Sequence, residues 1–194
     1  MALKEKKYQD LYRESLKLFA TFGYKKTTIE DVADKLNMTK GNLYFYVKNK
    51  QILYENTINW ALSKWQESVG KEIEKSITPA LKFRAMAESS MAYIESNKPL
   101  RKLLINDPDI FTLEESRDRF PLANKAAIEI IKDILQQGIG DGSFYAVEVE
   151  ETARYLFSVY MMFLIKTYVY LDRDSYKKMF NAALTLNLRG LAVK

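Results

Sequence analysis

The sequence predicts an all-α chain, with a small N-terminal helical module leading into a larger helical domain. Three observations carry this reading. Only 7 glycines and 4 prolines punctuate the 194 residues, and nowhere does a run of clean apolar alternation stand between turn signals as strands require. Apolar residues recur instead at the spacing of one helix face. Charge is unevenly distributed: residues 1–55 hold eleven Lys and Arg against seven Asp and Glu, whereas the rest hold nineteen against eighteen. A basic module, residues 1–50, is therefore expected ahead of a nearly neutral body, residues 51–194.

The elements follow in order. Leu11, Ser15, Leu18, Phe19 and Phe22 share one face of a first helix over about 4–22, with Gly23 as its stop. "TTIEDVADKL" opens a second helix: Thr28 followed three residues later by Asp31 is a capping-box variant, and Ile29, Val32, Ala33 and Leu36 form a narrow apolar stripe. Asn37 tolerates left-handed backbone angles, so Asn37-Met38 can turn before Thr39 caps a third helix. Two short helices joined by a tight turn make a helix-turn-helix. A fourth helix covers about 50–75, and Thr78-Pro79 opens a fifth that ends near Asn97. Lys98-Pro99 starts a short sixth, and "NDPDIFT" at 106–112 is a loop. The next helix spans about 114–138, with Pro121 marking either a kinked first turn or a later start. "GIGDGSF" at 138–144 is a connector, since it lacks the preceding strand of a phosphate-cradling loop. Helices over 148–171 and 174–191 complete the chain.

Composition removes several reaction classes. With no His and no Cys, there is no Ser-His-Asp or Cys-His nucleophilic system, no thiolate or imidazole metal site and no disulfide framework. No metal and no cofactor is expected. The charged start, MALKEKKYQDLYRES, has no apolar signal core and predicts a cytoplasmic location. Residues 155–171 are apolar but too short to span a bilayer and carry Lys166 well inside. They read as a buried helix, with no membrane partner.

The third helix is the most informative. Leu43 and Val47 are four apart on one face, and Phe45 lies opposite them, with Tyr44 and Tyr46 on the flanks. If Leu43 and Val47 point inward, Phe45 points outward, either onto a neighbouring domain or toward a ligand. Lysines at 40, 48 and 50 surround these aromatics.

The stretch "LFATFGYKKTTIEDVADKLNMTKGNLYFYVKNKQIL" combines Phe22-Gly23, Thr27-Thr28, Val32-Ala33, Gly41, Leu43-Tyr44, and Lys50 followed by Leu53. On these residues the segment from about 8 to 55 resembles the DNA-binding domain of the TetR family of bacterial transcriptional regulators. A histidine is common in the family where this chain has Tyr46. The resemblance implies that Thr28, Tyr44 and Lys50 contact DNA phosphates, and Thr39 and Lys48 join them as candidates. The third helix would enter the major groove. Lys40, Gly41, Asn42, Phe45 and Tyr46 are the candidates for base readout: Lys donates to guanine, Asn pairs with adenine, an aromatic edge meets a thymine methyl, and Gly41 lets the backbone come close.

Beyond residue 55 the resemblance is one of size and helical layout. It implies a homodimer through the last two helices, reading two half-sites about one DNA turn, roughly 34 Å, or a multiple apart. On the first of those helices Val149, Ala153, Leu156, Tyr160, Phe163, Thr167 and Tyr170 share a face. On the second, Tyr176, Phe180, Ala183 and Asn187 form one stripe and Leu184, Leu188 and Leu191 another. The family's effector pocket lies in the helical body, where Phe83, Met86, Tyr93, Phe111, Phe120, Tyr155 and Met162 are candidates that equally serve as plain core. Met and aromatics suit a small apolar or aromatic effector. The function implied is a ligand-responsive repressor of a palindromic operator, not an enzyme. An all-helical enzyme with a non-functional helix-turn-helix, and a ligand-independent DNA-binding protein or activator, are the alternatives.

Overall fold

The computed structural model describes residues 2–169 and 173–193, with side chains except at 2–4, 115, 169 and 173–176. The described residues form α1 (Ala2–Lys26), α2 (Ile29–Lys35), α3 (Lys40–Tyr44), α4 (Lys50–Glu74), α5 (Pro79–Ser96) and α6 (Lys98–Asn106). They continue with α7 (Pro121–Gly140), α8 (Val149–Leu164) and α9 (Arg173–Leu191). Among them there is no strand, only an isolated antiparallel bridge between Phe144 and Ala192. Two compact units result: residues up to 64 together with 97–107, and residues 65–96 together with 108 onward.

In the first unit Leu11, Ser15, Leu18 and Phe19 of α1 are buried. Phe22, on the same face by angle, is 55% exposed. It sits in the last turn before Gly23, whose φ of 78° breaks the helical path. Thr27 is buried where the chain emerges from that break, and its hydroxyl donates to the carbonyls of Gly23 at 2.9 Å and Leu18 at 3.4 Å. Both bonds of the expected capping box form at α2: the Thr28 N–H donates to the Asp31 carboxylate at 2.7 Å, and the Asp31 N–H to the Thr28 hydroxyl at 3.1 Å. Asn37 adopts φ 52°, making the turn. The Asn42 N–H donates to the Thr39 hydroxyl at 3.2 Å, which caps α3.

This unit takes in more chain than residues 1–50. Leu53, Tyr54 and Ile58 of α4 are buried, and α6 packs along α1. The Asn106 amide donates to the Ala20 carbonyl at 3.0 Å, and the Tyr54 hydroxyl to the Asp107 carboxylate at 2.6 Å. Residues far apart in sequence thus meet because Leu100, Leu103 and Leu104 bury the apolar face of α6.

In the second unit the segment expected to be helical from 114 is a 3-10 turn at Glu115–Arg117, and α7 begins at Pro121. Proline at the first helical position needs no N–H, so the later start satisfies it. The run 148–171 is not one α-helix either: α8 ends at Leu164 and a π-helical turn covers Ile165–Val169. Ala153, Leu156, Phe163 and Thr167 of its predicted inner face are buried, whereas Tyr170 lies outside the described residues. On α9 Phe180, Leu184, Leu188 and Leu191 are buried as one stripe drawn from both predicted ones; the side chain of Tyr176 lies outside the description. The connector after α7 closes on the end of α9. The Tyr145 N–H donates to the Leu191 carbonyl and the Val193 N–H to the Ser143 carbonyl, at 2.8 and 2.9 Å.

Candidate functional site

The α2–α3 surface is built by burying one side of each helix and of the turn after α3, which ends at Tyr44 rather than continuing as a helix through Val47. Val32, Ala33, Leu43 and Val47 are almost fully buried, and each large apolar side chain so placed stabilises the module by about 1.5–3 kcal/mol. That burial fixes which side chains remain outside. Phe45 is 85% exposed, as the helical angle predicts. A phenyl ring in water is unfavourable, so this position gains nothing for the fold. Lys40, Gly41, Asn42 and Lys48 are exposed beside it, and Tyr44 is 45% exposed. Gly41 is not demanded by crowding: a Cβ there would meet only Thr39 Oγ1, at 3.9 Å.

Not every candidate side chain is equally available. The Tyr46 ring, half-buried, meets Tyr8 of α1 edge to face at 5.4 Å between centroids. Lys40 forms an ion pair with Glu30 of α2. That hydrogen bond raises the ammonium's pKa and is the first cause of the lowered Glu30 pKa. Thr28 holds α2's first turn, and its bond to Asp31 is the main reason that carboxyl titrates below the usual carboxylate range. The Thr28 hydroxyl, an acceptor in the cap, keeps its own proton for an external acceptor. Lys50 sits at the first position of α4. Its Nζ donates to the Tyr24 and Lys25 carbonyls at 3.0 and 3.4 Å and lies 4.5 Å from the Tyr24 ring centroid.

Sequence reasoning missed Tyr8, Tyr24 and Glu30. They stand 38, 26 and 10 positions from their partners Tyr46, Lys50 and Lys40. No local spacing signals such pairs; only the fold of α1 against α2–α4 brings them together.

The second unit holds an aromatic core around Trp65. Its indole lies 6.0 Å from Phe111 and 6.4 Å from Tyr160, and its N–H donates to the Ser90 carbonyl at 3.1 Å. The hydroxyls of Ser90 and Tyr160 are 2.6 Å apart. Burial pushes the Tyr160 phenol's pKa up, against the opposing Ser90 bond, so it stays neutral. Tyr168 donates to the Met91 carbonyl at 3.2 Å. Thr167 Oγ1 is buried with no hydrogen-bond partner. Of the sequence candidates, Phe83, Phe111 and Phe120 are buried, and Met86, Tyr93 and Met162 are half-buried. Tyr155 is 56% exposed and lies outside that core. Trp65, Ser90 and Tyr160 were not singled out as lining residues; Tyr160 alone carried a signal, its place on the inner face of the apolar run.

Among the described residues no three acidic side chains converge as a metal site, and no helix is long and apolar enough to cross a membrane.

The chain matches two family models. Residues 11–57 match "Bacterial regulatory proteins, tetR family", and residues 61–193 match "QacR-like protein, C-terminal region". It is 25% identical over 139 residues to the transcriptional repressor KstR2 of Mycolicibacterium smegmatis, covering 70% of this chain and 66% of that protein. It is 36% identical over 88 residues to the transcriptional regulator QacR of Staphylococcus aureus, covering 45% and 46%. A TetR transcription regulator from Haloarcula marismortui has the same fold, with a TM-score of 0.81 at 17% identity over 97% of this chain and all of that one (100%).

Proposed function

The chain belongs to the TetR family of bacterial regulatory proteins, and from that premise we propose that it is a homodimeric repressor released from a palindromic operator by a small, largely apolar effector. The observation that carries the DNA side is Phe45, 85% exposed between the buried Leu43 and Val47. It stands with Gly41 and Asn42 on a surface whose fold requires none of them. Lys40, Gly41, Asn42, Phe45 and Tyr46 read bases, with Tyr46 acting from a ring already braced by Tyr8. Thr28, Thr39, Tyr44, Lys48 and Lys50 hold phosphates.

The effector enters the aromatic core of the second unit. Among the described residues of that unit the buried serine and threonine are Ser90 and Thr167, both neutral, and the unpartnered Thr167 hydroxyl suits an uncharged oxygen on an effector that reaches it. The two subunits pair through α8 and α9. Met179 and Leu186, seven apart on one face of α9, are 44% and 68% exposed, as is Tyr155 of α8 at 56%. Effector and DNA then prefer different states of the dimer, and their coupling is reciprocal.

Selection from a random-sequence duplex library at two salt concentrations tests this reading. An enriched two-fold-symmetric site supports the dimeric reader. Retention that is only weak and salt-sensitive, with no enriched motif, overturns it.

A further inference from the structure

We propose that Tyr24 is a positioning residue for DNA binding, holding the Lys50 ammonium in place before any phosphate arrives. The inference rests on the DNA-binding reading above and adds a residue to it. An ammonium on a four-carbon stem is ordinarily a mobile point charge, and ordering it on a phosphate costs side-chain entropy. Here that ordering is already done. Lys50 Nζ has three N–H donors; two point at the Tyr24 and Lys25 carbonyls, at 3.0 and 3.4 Å. The cation lies 4.5 Å from the centroid of the Tyr24 ring, within the range where the ring's negative face attracts it.

The clamp has structural reasons on both sides. The carbonyls belong to the last turn of α1, just beyond the break at Gly23, where helix carbonyls lack intrahelical partners and a cation is favoured. The ring is itself fixed: it lies 4.9 Å from the Tyr54 ring and 6.3 Å from that of Phe19, which is fully buried. Tyr24 thus supplies one carbonyl and one ring face to the same ammonium. All these partners are neutral, so the cation keeps its whole charge for an incoming anion. One N–H remains uncommitted, and that is the donor the phosphate takes.

A phosphate contact is independent of sequence, so a fluorescein-labelled mixed-sequence duplex of about 30 base pairs is the probe, titrated with the full-length protein between about 50 and 200 mM salt. Tyr24→Leu removes the ring face and is expected to weaken binding about two- to fivefold, the measure of an exposed cation–ring attraction. Tyr24→Phe should bind as the wild type does. Lys50→Met should lower the salt slope by about one. In the Lys50→Met background, Tyr24→Leu should cause no further loss. Because Leu could disturb the Phe19–Tyr54 packing, pentafluorophenylalanine at position 24 is the second variant. It keeps the ring's shape and reverses the polarity of its face, so its binding should fall as for Leu while the melting temperature stays. Wild-type affinity in both ring variants, or an equal loss in the Lys50→Met background, overturns the positioning role. A wild-type protein with no salt-dependent binding overturns the DNA-binding reading as well.

Discussion

Replacing Gly41 by alanine should move stability and DNA affinity in opposite directions. Gly41 is the second residue of α3, is exposed, and has a single neighbour for an added methyl, Thr39 Oγ1 at 3.9 Å, an ordinary van der Waals distance. The fold therefore does not resist the substitution. Alanine is the better helix former by roughly 0.5–1 kcal/mol, and for a chain of this size each kcal/mol raises the melting temperature by about 2–4 °C. The variant should melt about 1–4 °C higher. If the α3 backbone at Gly41 meets a base edge, the same methyl stands inside that contact. Overpacking costs about 1–3 kcal/mol, or about 5- to 140-fold in affinity. The assay pairs a thermal melt with fluorescence anisotropy on the selected operator. An unchanged operator affinity would refute a close approach at Gly41. A lowered melting temperature would refute the claim that the fold leaves this position free.

Phe45→Ala should leave thermal stability within about 0.5 kcal/mol, because an exposed ring supports little packing, while binding to the selected operator weakens; a drop in both would place Phe45 in the fold. Thr28→Ala should cost about 1 kcal/mol in a urea titration through loss of the α2 cap. Asp31, its reciprocal partner, has a folded pKa below the unfolded one, so its stabilisation is present above the ordinary carboxylate range and is lost as pH falls through the folded value; Asp31→Asn should flatten that acid limb. Gly138→Ala should destabilise the second unit by about 1–3 kcal/mol, since the new Cβ would lie 2.5 and 2.7 Å from Cγ and Cε2 of the Phe144 ring; an unchanged melt would mean the ring moves aside freely. If the subunits pair through α8 and α9 as proposed, Leu186→Glu should shift the sedimenting species to a monomer in analytical ultracentrifugation with the helical spectrum retained, because Leu186, 68% exposed in the single chain, would lie in that interface.

The local parts of this architecture were legible from residue types alone. Thr28, Asp31, Thr39 and Asn37 act within three positions of their own helix ends, so propensity and capping chemistry specify them without knowledge of the fold. The outward placement of Phe45 was equally accessible, because it depends only on the helical angle from Leu43 and Val47. What escaped is what the tertiary fold decides. Pro121 allowed two helix starts, and sequence periodicity could not choose between them. The π-helical turn at 165–169 keeps the apolar composition of α8 and so leaves no compositional trace. The attachment of α6 to α1, through Asn106 and Ala20, joins residues 86 positions apart. The aromatic core was legible as composition but not as a site, since Trp65, Ser90 and Tyr160 come from three helices, α4, α5 and α8.

Those long-range partners also separate two lysines that the sequence presents as equivalents. Lys40 is paired with a carboxylate, that of Glu30, which offsets its charge toward an incoming phosphate while leaving N–H donors for a second acceptor. The net electrostatic gain from a phosphate there is small, because the pair as a whole is neutral. What Lys40 gains on DNA must therefore come from geometry, which differs between one base edge and another, and this favours a role in discrimination. Lys50 is held by carbonyl dipoles and a ring face, none of which a phosphate needs to displace. If Lys50 holds a phosphate as proposed, its charge adds to affinity on every sequence alike. On the proposed DNA-binding reading, the same side chain, set at two ends of one short module, would thus select sequence in one case and hold the duplex in the other.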